Sequence, residues 1–214
     1  MNMDTHWFMN WYWQEATEDE QTLFEKMIRF EQEYFGDMLF HYGSNTYELI
    51  HILSKDVNAQ EWVDDSAPIP EVLEFFSPEM IRLKIENTDE MNGYYNHSEQ
   101  VLCISSNSIN DDSALLHEMI HMHEGIINEL PMHYHDMVFW SLYKSLRTSL
   151  PELDDIITNH AHILNETELY ESGGLHDILF LLKSFDIDIG MGYPLGTVFG
   201  YGKMDDFKEY TVNY

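Results

Sequence analysis

The run Leu115-Leu116-His117-Glu118-Met119-Ile120-His121 constrains this chain more than any other stretch. Two histidines four apart lie one above the other on the same face of a helix, about one turn apart. Their imidazoles can grip one divalent ion only while the backbone stays helical, so the spacing predicts a helix through this segment. Leu116, Met119, Ile120 and Ile127 fall at helical spacing and predict a core stripe, while Ser113, His117, His121 and Gly125 fall on a different face. Asn110-Asp111-Asp112 supplies a capping residue and first-turn acids. Glu118, beside the first histidine, is placed to take a proton from a metal-activated water, which points to attack on a carbonyl. The chain has 12 histidines, which raises the chance of a fortuitous match. The ordered apolar residues around the motif argue against one.

A catalytic zinc ion takes three protein ligands and keeps one position open. Downstream candidates for the third ligand are His123, Glu124, Glu129, His133 and His135, with Glu152 further on. His123 is two residues from His121 and points to another side of the same helix. The metzincin pattern needs glycine and histidine three and six residues after His121, where this chain has Glu124 and Ile127. Pro131 closes the first helical region, and an amphipathic run opens at His135 and continues to Leu150. A histidine at the start of a returning helix can face back onto the first one. His135 is therefore preferred, with His133 second.

The segment from Gly93 to Pro151 resembles the SprT-like metallopeptidase family. The residues that carry the resemblance are Gly93-Tyr94-Tyr95, Val101-Leu102-Cys103-Ile104-Ser105, the helix 115–121, and His135-Asp136-Met137-Val138-Phe139. Trp140 and Pro151 are similar to a Phe-Trp pair and later proline in related bacterial hydrolases. Upstream, Leu23-Phe24 and Tyr34-Phe35-Gly36-Asp37-Met38-Leu39 are similar to the family's opening helix and its closing turn. The likeness spans about residues 20–151 and is most specific over 93–140. It implies a zinc metallopeptidase with His117, His121 and His135 as ligands and Glu118 as general base. It also implies an extended substrate pairing with an exposed strand edge, for which 100–106 is the candidate, directly before the motif helix. Asp136 is a candidate acceptor for a ligand imidazole. Tyr94, Tyr95, Tyr134 and His133 are candidate oxyanion donors.

Two features depart from that family. About 40 residues, Phe40 to Glu79, separate the opening helix from the first clear strand. The basic surfaces or cysteine-rich ribbon of its DNA-linked members are also missing, since the chain has one cysteine and 10 Lys+Arg against 39 Asp+Glu. A formal charge of −29 repels a phosphate backbone, so direct DNA binding is not expected, and a basic or neutral protein or peptide is the expected substrate. Hydrophobic content of 44% supplies a core despite the acidity. Cys103 lies in an apolar strand, where a buried thiol is expected. No apolar run reaches membrane-spanning length and no signal peptide is evident, so a cytoplasmic protein is expected. A non-catalytic acidic protein, mimicking nucleic acid or binding a basic partner, is the alternative. Hydrolysis of a small amide is a third reading.

Periodicity predicts helices over 19–35, 111–128, 135–150, 151–163 and 175–185, and strands over 80–86, from Tyr94, and over 100–106. Residues 46–53 fit helix or strand, and the prolines between Ala67 and Pro78 mark a loop region with a short helix. Gly190 to Gly202 reads as an ordered loop or cover. The expected fold is α+β, a small antiparallel sheet beside a metal-bearing helix pair in a minimal zincin-like arrangement. Residues 1–151 are read as the SprT-like domain with an insertion at about 40–79. Residues 152–214 are read as a helical extension with a Gly/aromatic tail packed on it.

Overall fold

The computed structural model describes residues 11–35, 81–88, 91–128, 132–160, 176–200 and 203–213. The insertion at 40–79, with the apolar segment 46–53 and the prolines of 67–78, lies outside the described residues. A single π-helical turn, Trp11–Glu15, leads into α1, Glu18–Tyr34. Thr17 and Glu20 form a reciprocal capping box at the start of α1: Glu20 N donates to Thr17 Oγ1 at 3.2 Å and Thr17 N to Glu20 Oε2 at 2.8 Å. The other oxygen of Glu20 accepts from Ile85 N at 3.2 Å, tying α1 to the first strand.

Three strands follow: β1, Arg82–Glu86; β2, Gly93–Asn96; and β3, Val101–Ser105. The order is β1-β3-β2, with β3 antiparallel to β2 and parallel to β1. The sheet is mixed, not antiparallel as expected. A tight turn over 97–100, with Gln100 at φ 52°, folds β3 back on β2, and β1 then pairs with the far side of β3. Both sides of β3 are occupied and all five of its residues are buried. It therefore cannot offer the exposed edge expected of residues 100–106. Among the described residues the sheet edges are β1 and β2.

The motif helix α2, Asp112–Asn128, follows a 3-10 turn, Ser106–Ser108. Asp111 caps it, accepting from Ser113 N at 3.0 Å, and Lys26 of α1 bonds Asp112 at 2.6 Å. The later helices are α3, Met132–Ser149; α4, Leu153–Asn159; α5, Ile178–Met191; and α6, Met204–Phe207. One face of α2 packs on β2 and β3 and another on α5, while α3 packs on both α2 and α5. Every residue from Leu179 to Phe185 is buried, so α5 is an internal helix of the same core. Within the segment read as an extension, α5 thus packs in the same core as α2.

Candidate metal centre

On α2 the predicted stripe is buried: Leu116, Met119 and Ile120 are inaccessible, as are Leu115 and Met122. The histidine face is half-buried, with α5 and the loop that follows it packed against His117 and His121. His117 and His121 lie with ring centroids 5.0 Å apart, and a third imidazole, His176, sits 5.0 Å from the first and 4.9 Å from the second. One nitrogen from each of the three falls within 4.8 Å of the other two. Phe180, one turn into α5, lies 4.8, 4.6 and 4.5 Å from His117, His121 and His176 and packs against all three rings.

His176 takes the place that His135 was expected to fill. His135 lies in the first turn of α3 but reaches the residue after the third imidazole: its Nε2 is 3.6 Å from Asp177 Oδ2. Asp177 is the N-cap of α5 and accepts from Leu179 N at 2.7 Å and Phe180 N at 3.0 Å. Burial pushes the Asp177 carboxyl up, but His135 and those two amides outweigh it and hold the group below its usual range. His135 thus steadies the helix start that presents His176. A signal for His176 was present in the sequence. The pattern His-Asp-x-x-Phe that singled out His135 occurs again as His176-Asp177-Ile178-Leu179-Phe180.

The other candidates are placed elsewhere. His123 is fully buried and stacks on Phe35 with centroids 4.4 Å apart. Glu124 is buried with one oxygen 3.8 Å from His121 Nδ1, and burial together with neighbouring Asp177 raises its pKa well above the ordinary value. Glu152 stands at the N-cap position of α4 without a side-chain capping bond, and the Tyr94 hydroxyl donates to Glu86 at 3.3 Å. Tyr95 meets His97 edge-on at 6.0 Å. Glu129 and the side chains of His133, Tyr134 and Asp136 lie outside the described residues.

Glu118 is 6% exposed and faces β2. A Cβ on Gly93 would lie 2.9 Å from Glu118 Cγ and 2.6 Å from the Cys103 carbonyl oxygen, so only glycine lets the strand pass this closely. Burial raises the Glu118 carboxyl to about 8.

The donor set suits a metal ion. Burial lowers His117 to about 4, His121 to about 2 and His176 to about 3, so all three imidazoles are neutral near pH 7, the form that binds metal. His117 Nδ1 lies 2.9 Å from the Val198 carbonyl oxygen, which can only accept. The proton is therefore on Nδ1, and the lone pair is on Nε2, 3.2 Å from His176 Nε2. Zn–N bonds of about 2.0–2.1 Å in a tetrahedral site separate ligand nitrogens by about 3.3 Å. Neutral nitrogen donors favour zinc over calcium or magnesium. No protein-family model, curated protein or solved structure matches this chain, so the reading of the site rests on this geometry.

Proposed function

We propose that this chain is a zinc-dependent metallopeptidase with a minimal zincin-like site, in which His117, His121 and His176 hold the metal and Glu118 is the general base. The observation that carries the reading is the convergence of three neutral imidazoles, two from α2 and one from the residue just before the α5 N-cap, with a buried carboxyl one residue from the first. When bound, zinc lowers the pKa of a water to about 7 and polarises the scissile carbonyl. Glu118 accepts the proton of the attacking water and passes it to the departing amine. A positive charge nearby favours the ionised carboxyl that this role requires, against the burial that raises it. The substrate edge is β2 rather than β3: β2 brings Gly93 against Glu118, and among the described residues no strand pairs with its outer side. An extended peptide added there by main-chain hydrogen bonds presents its carbonyl beside Glu118. The charge of −29 favours basic or neutral substrates over nucleic acid. The same charge supports the second reading, an acidic binder of a basic partner without catalysis.

The test combines metal analysis with a peptidase assay. About one zinc per chain is expected, lost in His117→Ala, His121→Ala and His176→Ala, with His135→Ala weakening it less. Glu118→Gln should keep zinc and lose about 10²–10⁴-fold in cleavage of an unstructured basic protein. A zinc-loaded wild type as inert as Glu118→Gln across a broad peptide panel, yet capturing a basic protein tightly, establishes the second reading instead.

A further inference from the structure

We propose that Asp188 is a positioning residue for the metal centre: through the loop it clasps, it fixes the Nδ1–H tautomer of His117 and so presents Nε2 as the ligand atom. This rests on the reading of His117, His121 and His176 as the metal site. Asp188 lies near the end of α5 and is inaccessible to solvent. Both carboxylate oxygens are engaged by the loop that follows the helix: Oδ2 accepts from Gly196 N at 2.7 Å and Oδ1 from Val198 N at 3.0 Å. The helix itself ends at Gly192 with φ 71°, and Tyr193 N closes the turn onto the Asp188 carbonyl at 2.7 Å. Gly196 and Gly200 stand at φ 85° and 81°, and Gly200 N bonds Gly196 O at 3.2 Å. Asp188 thus holds the Leu195–Gly196 and Thr197–Val198 peptides.

The functional end of that loop is one carbonyl. Val198, whose N–H is bound to Asp188, directs its C=O to His117 Nδ1 at 2.9 Å. Asp188 thus holds the peptide on the N-terminal side of Val198, and the C=O on its C-terminal side, one Cα away, accepts from His117 Nδ1. Gly200 lies against the same ring, where an added Cβ would sit 3.6 Å from His117 Nδ1. An acceptor held behind a ligand imidazole sets which nitrogen faces the metal, and losing such a partner typically costs about 10–100-fold in metal affinity.

The test uses the full chain with two readouts. In metal-free wild type, nitrogen NMR should show His117 with its proton on Nδ1, and chelator competition gives the zinc affinity. Asp188→Asn keeps the shape but leaves one oxygen to accept where two are needed. It should give a mixture of His117 tautomers and about 10–100-fold weaker zinc binding. Thr197→Ala, which removes the hydroxyl's bonds to Pro194 O and Met204 Sδ but keeps the backbone amide beside the carboxylate, should leave both readouts as in wild type. Should Asp188→Asn not fold, Gly200→Ala, strained at its φ of 81°, must produce the same tautomer mixture and zinc loss. The proposal is overturned by a His117 proton on Nε2 in wild type. It is equally overturned by unchanged readouts in Asp188→Asn (or in Gly200→Ala where that stands in), or by equal shifts in Thr197→Ala. A wild type that binds no zinc but shows the Asp188-dependent tautomer refutes the metal reading and leaves the positioning role standing.

Discussion

Burial, more than any pairwise charge, sets the protonation of the residues that matter here. It raises Glu118 to about 8 and Asp188 to about 7, and lowers His117, His121 and His176 to about 4, 2 and 3. The signs of their effects on stability oppose one another. The native fold binds the protons of Glu118, Asp188 and the buried Glu124, whose pKa is also raised, more tightly than the unfolded chain, so that stability is full near pH 4 and is lost as pH rises through 7 and 8. The histidines resist protonation in the fold, so their contribution is complete above pH 6.5 and lost as pH falls toward 4. The two trends offset each other between about 4 and 6.5, and above 6.5 only the acids still titrate. Metal-free protein should therefore lose stability between pH 6.5 and pH 8, measured by urea unfolding in the presence of chelator. Stability that rises over this window would mean that Glu118 and Asp188 are already ionised in the fold.

Among the elements, β2 and α5 decide whether α2 carries a usable site. Gly93→Ala tests the first: its Cβ would meet the Cys103 carbonyl oxygen, a backbone atom that cannot swing aside, and press on Glu118 Cγ. A loss of about 1–3 kcal/mol is expected on thermal unfolding, with a fall in any Glu118-dependent activity. Wild-type stability in this variant would show that β2 does not approach α2 so closely. The α2 helix was legible because the features that specify it, the apolar spacing and the capping acids, are local. The strands were legible individually, but their order was not: whether β1 joins β2 or β3 depends on pairings that alternation does not encode. The third imidazole was hidden for a similar reason. Two copies of His-Asp-x-x-Phe compete in the sequence, and the choice between them is made by which helix start docks over His117 and His121. His176 stands 59 residues from His117, too far for any spacing rule.

Charge dominates the behaviour of the molecule as a whole. With 39 acidic and 10 basic side chains, at least 29 carboxylates have no lysine or arginine to pair with, since 39 − 10 = 29. Self-repulsion destabilises the compact state, and salt screens it over about 8–10 Å. Adding sodium chloride should therefore raise the melting temperature, whereas a fall would place more weight on ion pairs such as Lys26–Asp112. Among the described residues no helix is long and apolar enough to cross a membrane. The position of His176 has a consequence in time. The chain is made from its N-terminus, and 59 residues separate synthesis of His117 from synthesis of His176. At about 5–20 residues per second, roughly 3–12 s pass on the ribosome with His117 made and His176 still to come. During that interval a nascent chain holds two of the three imidazoles, and the cluster is complete only once the start of α5 has been made and has docked over α2.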